Sequence, residues 1–218
     1  MIAAQNAAAR SRSMAAVLSQ QLVVQSEALL AEAPSIFLQA VIIPGEETTE
    51  GQIIEAVAAP WFEIIALLLR DPNAPYEFSW RKWEEIVAAS YKARGYDVVL
   101  TPRSGDGGRD VIASSRGFGS IRYFDQVKAY APGRVVTAND VRAMIGVLTV
   151  AGNVSKGIIT TTSEFAPGIC ADEGIKALMP YRLELRARAA LLEWLRTAAG
   201  IGAAEGSLPV KPDDVRCG

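Results

Sequence analysis

Between residues 79 and 198 the apolar positions change period several times, and each change marks an element. Trp83, Ile86, Val87 and Tyr91 recur at helical spacing behind Ser79, a good N-cap, and the run stops at Gly95. Residues 96–101 then read as a strand stopped by Pro102, residues 109–114 as a second strand and residues 121–129 as a third. Thr137 or Asn139 caps the next helix, which carries Val141, Met144, Ile145 and Leu148 on one side. Residues 156–161 have a wholly apolar centre in Gly157, Ile158 and Ile159, the pattern of a strand covered on both faces. A helix over 167–178, a short strand over 181–185 and a helix over 187–198 complete the series.

This order predicts an α/β fold: a mixed central sheet flanked by helices, with a core of helix, three-stranded meander, helix and strand. Three consecutive strands without crossover helices exclude a doubly wound nucleotide fold. The glycines at 105, 107 and 108 are not a phosphate loop, because no Lys-Ser/Thr pair follows and a strand comes next. Upstream, the first 33 residues read as one or two helices ending near Pro34, and residues 36–43 as a strand closed by Pro44-Gly45. Residues 52–69 read as a helix broken at Pro60, and residues 71–75 as a turn or linker. The expected division is a mainly helical extension over 1–77, the main domain over 78–200 and a loose tail over 201–218.

Half of the 218 residues are apolar, enough for a real core. The longest nearly apolar stretch, residues 56–69, contains Pro60 and Glu63 and is too short to cross a bilayer. The N-terminus makes a poor signal peptide, since Ser19, Gln20 and Gln21 interrupt its apolar run. With only Cys170 and Cys217 present, a reduced, cytoplasmic protein is expected.

Histidine is absent, which removes Ser-His-Asp triads, Cys-His pairs and imidazole-based metal sites. Any hydrolysis must run on carboxylates, lysine and a hard cation. The formal charge of -2 also hides a polarity: residues 1–100 hold 7 basic and 12 acidic side chains, whereas residues 101–160 hold 8 basic and 4 acidic. Arg103, Arg109, Arg116, Arg122, Lys128, Arg134, Arg142 and Lys156 lie in that basic segment and form a candidate phosphate footprint; scattered surface charge is the ordinary alternative. Asn139 and Arg142, at the start of a helix, are candidates to approach a DNA groove.

The most informative stretch is Asp106-Gly107-Gly108-Arg109-Asp110 followed by Phe124-Asp125-Gln126-Val127-Lys128. As two strands of one hairpin, these segments put a carboxylate, an amide and an ammonium around one metal-sized space. Asp110 follows a flexible turn and begins a strand. Gln126 and Lys128 are two apart, so both point to one face, with Val127 on the other and its carbonyl available to a cation. Each residue also has an ordinary reading: Asp110 as a turn residue bonding backbone amides, Lys128 as a surface lysine and Gln126 as a polar strand position.

Together with Trp83-Glu84-Glu85, Gly95-Tyr96-Asp97-Val98 and Ile159-Thr160-Thr161-Thr162-Ser163, these motifs resemble the catalytic domain of Mrr-type restriction endonucleases in the PD-(D/E)XK nuclease superfamily. The resemblance covers about residues 78–198 and implies a restriction-endonuclease-like core. It implies that Asp110 binds metal, that Lys128 is catalytic, and that Gln126 stands where most of the superfamily has Glu or Asp. Glu84, after the aromatic Trp83, is the implied helix acid, with Glu85 as the fallback. The implied cofactor is Mg²⁺, with Mn²⁺ a substitute, and the implied activity is cleavage of double-stranded DNA in restriction or defence by a homodimer. A nuclease-like module that only binds DNA or protein, or a junction-resolving nuclease, are the competing expectations.

Overall fold

The computed structural model describes residues 37–104, 107–115 and 119–201. The helices read in the first 33 residues, the tail, Asp106, Arg116 and Cys217 lie outside them. From Ala40 onward the described residues belong to one compact unit, built on a seven-stranded sheet whose spatial order follows the chain. Strands β1 (Ile42–Thr48), β2 (Gly51–Val57), β3 (Asp97–Leu100), β4 (Val111–Ser115) and β5 (Ile121–Lys128) pair antiparallel. Strands β6 (Lys156–Thr161) and β7 (Leu183–Arg186) add to β5 in parallel. The meander, the following helix and β6 match the sequence reading in type and order.

Two helices flank the hairpin that matters for chemistry. Helix α1 (Pro60–Arg70) precedes α2 (Trp80–Ala93), whose N-cap Ser79 accepts a hydrogen bond from the Lys82 amide. Trp83, Ile86, Val87 and Tyr91 are buried as their spacing predicts, and Trp83 Nε1 donates to the Pro75 carbonyl at 3.0 Å. Helix α3 (Ala138–Val150) takes Thr137, not Asn139, as its cap, in a capping box with Asp140. It covers the other face of the sheet: Val141, Met144 and Leu148 pack with Ile112, Phe124 and Ile159. Close approach is built in at Gly157, where a Cβ would stand 2.8 Å from the Met144 sulfur.

Four sequence readings are corrected. Residues 52–57, read as the first part of a helix over 52–69, belong to β2, because pairing with β3 sets Ile54 in the buried core and favours the β-branched pair Ile53-Ile54 as a strand. Gly51 fits this crossing, since any Cβ there would lie 2.3 Å from the Leu100 carbonyl oxygen. Pro60 does not break a helix but starts one, at the position where its missing N–H costs nothing. Pro44, read as the end of a strand, lies inside the edge strand β1 where the register shifts. The helix read over 167–178 shrinks to a 3₁₀ turn, Ile169–Ala171, and the single-turn α4, Glu173–Lys176. Gly168 is left-handed and Asp172 recaps the chain through the Gly174 and Ile175 amides, which divides the run. Helix α5 (Arg188–Ala198) ends the described core. No described helix is long and apolar enough to cross a membrane.

Candidate active site at the end of the central hairpin

Asp110 enters β4 from a turn in which Gly107 and Gly108 both take positive φ. Its backbone N–H donates to the Asp125 carbonyl at 2.9 Å. Its carboxylate, nearly buried, accepts from the Val127 amide through Oδ2 at 2.7 Å. The side chain therefore replaces, at the end of the β4 ladder, the strand carbonyl that Val127 would otherwise need. This backbone bond is the ordinary reading of Asp110 realised, and it also fixes the carboxylate beside Gln126. The turn is held from β3, where Thr101 Oγ1 donates to the Arg109 and Asp110 carbonyls at 2.8 and 3.1 Å.

Gln126 and Lys128 alternate with the more deeply buried Asp125 and Val127, as period-two geometry requires. Gln126 Oε1 is buried and has no hydrogen-bond partner, an uncommon state for an amide oxygen. Lys128 is partly exposed, and its Nζ lies 3.6 Å from Asp140 Oδ1. Burial opposes ionisation of Asp140, but hydrogen bonds from Thr137 and the nearby Lys128 ammonium outweigh it and hold the carboxyl below its usual range. Asp140 is a neighbour of the site that the sequence reading missed; its one signal is the Thr137-x-x-Asp140 capping-box spacing.

Glu84 is buried on α2, and Arg81 Nη1 pairs with its Oε2 at 2.7 Å while also donating to the Thr101 carbonyl at 3.0 Å. A chain of contacts thus runs from Glu84 through Arg81 and Thr101 to the backbone of Asp110. Glu85 is paired with Lys82 at 2.9 Å and is the more exposed of the two acids.

Residues 75–195 match the Mrr_cat family of restriction endonucleases. The chain belongs to this family. The match spans the meander, α2, α3, β6 and β7, and so includes every residue just described. A further similarity is to the uncharacterized protein y4cE of Sinorhizobium fredii (strain NBRC 101917 / NGR234), 30% identical over 83 residues. That alignment takes in 38% of this chain and 21% of y4cE, so the chain spans about a fifth of that relative. Among solved structures, the DNA modification-dependent restriction endonuclease AspBHI is 16% identical, with a TM-score of 0.43 over 73% of this chain and 40% of that one. Restriction endonuclease FokI is 15% identical, with a TM-score of 0.44 over 67% and 29%. MspJI restriction endonuclease, solved with a 27-mer oligonucleotide, is 14% identical, with a TM-score of 0.39 over 78% and 41%.

Within this Mrr-type domain the donor set suits a hard cation: a fixed carboxylate, an amide oxygen without a donor, and the Val127 carbonyl. The described residues nevertheless do not gather three or more His, Cys, Asp or Glu side chains in one metal-holding group. The basic footprint is partly committed to protein contacts. Arg122 pairs with Glu50, Arg142 with Asp172 and Lys156 with Glu184. Arg109 and Arg122 lie over the Phe124 ring at 4.7 and 5.6 Å, and Arg134 over Tyr130 at 4.1 Å. Asn139 accepts a long hydrogen bond from Arg142, and Arg103 is exposed beside Trp80.

Proposed function

We propose that this chain is a Mg²⁺-dependent endodeoxyribonuclease that hydrolyses phosphodiester bonds of double-stranded DNA, in restriction or defence against foreign DNA in the cytoplasm. The observation that carries this reading is the Asp110 carboxylate clamped to the Val127 amide, between Gln126 and Lys128, within the segment that matches the family. Asp110, the Gln126 amide oxygen and the Val127 carbonyl hold the cation, with Mn²⁺ a substitute. Glu84 orients the attacking water or a second ion. A divalent ion there supplies positive charge against the phosphate oxygens.

The remaining work falls to the side chains. Lys128 places its ammonium against the charge that grows on the phosphate and orients the water. Asp140 holds Lys128 in place before DNA arrives. The neutral Gln126 lends an oxygen without a charge, which lowers the affinity for the cation but leaves the geometry intact. Arg103, Arg109, Arg116, Arg122, Arg134, Asn139 and Arg142 contact DNA, chiefly at phosphates, which fixes position without reading bases. One such centre per chain cuts one strand, so duplex cleavage calls for a homodimer. Light scattering that reports a monomer both free and on DNA counts against the dimer.

The decisive experiment incubates purified protein with supercoiled, linear and methylated DNA in Mg²⁺, Mn²⁺ or EDTA. Cleavage that EDTA abolishes is expected; folded protein that binds DNA and cuts none of these substrates refutes the enzymatic reading. The lack of a three-acid group among the described residues favours one competitor, a nuclease-like domain that only binds. Calorimetry separates the two: Mg²⁺ binding that disappears in Asp110→Ala supports the enzyme, and no metal binding with DNA present supports the binder. Four-way and linear duplexes compared in one assay identify a junction-resolving activity.

A further inference from the structure

The first turn of α2 has an unusual makeup for the start of a helix. A helix N-terminus is already positive and is usually complemented by acidic residues, yet this turn contains none and reads Trp80-Arg81-Lys82. Trp80 is 50% exposed, whereas Trp61 and Trp83 are sealed in the core. The guanidinium of the exposed Arg103 lies 6.0 Å from the centre of the Trp80 ring, at the outer limit of a cation–π contact.

The place of this pair in the fold makes it more than an exposed ring. Trp80 precedes Arg81, which grips both Glu84 and the Thr101 carbonyl. Arg103 lies two residues beyond Thr101, whose hydroxyl holds the backbone of Asp110. The indole and guanidinium thus flank, one and two positions along the chain, the residues Arg81 and Thr101 that connect Glu84 to the backbone of Asp110. With Arg81 and Lys82 paired to Glu84 and Glu85, the exposed ring beside the Arg103 guanidinium is what suits a ligand that presents flat bases or sugars together with phosphates. An acidic peptide supplies the charge but not the flat surface.

We propose that Trp80 and Arg103 form a lip that grips the DNA strand flanking the scissile phosphate, the indole packing on a base or sugar and Arg103 bonding a phosphate. This rests on the nuclease reading and adds a contact to it. The two residues act through different forces, and salt separates them. Loss of the ring removes a contact that does not depend on salt, whereas loss of the guanidinium removes one phosphate contact and its released counterion.

The test measures binding of the full chain to a labelled DNA duplex in EDTA, over a series of salt concentrations, by fluorescence anisotropy. Trp80→Ala is expected to weaken binding about tenfold, within the range of an aromatic–base contact, with the salt slope unchanged. Trp80→Phe, which keeps a ring, stays close to the parental affinity. Arg103→Gln lowers the salt slope by about 0.9, one phosphate's share. Phe62→Ala, which removes a similarly half-exposed ring on α1, leaves affinity unchanged. DNA also shields the exposed indole from acrylamide quenching in the parental protein, and this protection is lost in Trp80→Ala. If the parental chain binds DNA and Trp80→Ala binds it equally well, the lip is wrong while the nuclease reading stands. If the parental chain binds no DNA at all, both fall.

Discussion

On one face of β5, Gln126 keeps a buried oxygen without a donor and Lys128 reaches a single carboxylate at long range. On the other face, one residue away, Asp125 is completely buried and its Oδ2 is crowded with partners. Tyr91 donates to it at 2.8 Å, Thr160 at 3.0 Å and Arg186 at 3.4 Å. Arg186 in turn pairs with Glu184 at 2.8 Å and stacks over Trp194 at 4.2 Å. The same strand thus carries one polar face with few partners and another whose Asp125 Oδ2 is tied to three elements, while Asp125 Oδ1, like Gln126 Oε1, is buried without a hydrogen-bond partner. Open capacity suits a site that must bind something else; satisfied polar groups in the interior tie elements together.

The titration behaviour follows from this difference. Burial pushes the Asp125 carboxyl up to about 7, against the pull of Arg186 and the hydrogen bonds from Tyr91 and Thr160. Burial raises the Tyr91 hydroxyl far above its ordinary range, and the Asp125 charge adds to that. For Glu184, burial works in the same upward direction, but Arg186 and Lys156 outweigh it and keep the carboxyl low.

The largest expected effect lies on the sealed face. Arg186→Met removes the cation paired with the buried Asp125 and leaves Glu184 with Lys156 alone, so it should cost about 3–5 kcal/mol of stability. Urea denaturation measures this; a loss well under that range would mean the cluster contributes little to the fold. On the open face, Lys128→Ala should fold and bind DNA within about tenfold of the parental protein but cleave at least about a hundredfold more slowly, the usual cost of one preorganised group. Asp110→Ala should lose cleavage likewise and also lose stability, because the Val127 amide is left without an acceptor. Cleavage rates at saturating protein decide this, and a parental rate in Lys128→Ala dismantles the Asp110-Gln126-Lys128 assignment.

A pH comparison sharpens the contrast further. Asp125 has a folded pKa near 7, above the ordinary carboxyl value of 3.8. The folded state therefore holds a proton that the unfolded chain releases, and the stability contributed is fully present below about pH 4 and is lost as pH rises toward 7. Asp125→Asn has no proton to lose there. The parental melting temperature minus that of Asp125→Asn should fall between those two values and then level off; a flat difference would show that Asp125 is ionised throughout. The smallest effect expected is that of Thr137→Ala, which removes the α3 cap and should cost about 1 kcal/mol by thermal melting.

How far the sequence could be read depends on the range of the forces involved. Ser79 as a cap, the end of α2 near Gly95 and the strands on either side of the glycine turn follow from neighbours within a few residues, and the structure has them nearly where the pattern put them. The stretch over 52–57 misled because its apolar residues suit either helix or strand, and the pairing partner that decided between them, β3, lies some 45 positions later in the chain. Asp125 drew no attention for the same reason: its hydrogen-bond partners Tyr91, Thr160 and Arg186 are 34, 35 and 61 positions away.

The sequence by itself determined that Gln126 and Lys128 share a face, that Asp110 enters a strand from a glycine turn and that no histidine takes part, because alternation, turn chemistry and composition are local properties. Only the tertiary structure decided that Asp110 is clamped to the Val127 amide, that Lys128 meets Asp140 and that Asp125 is sealed among partners from α2, β6 and β7. Those contacts exist because the sheet brings distant segments within hydrogen-bond distance, and no period along the chain records which of them will meet.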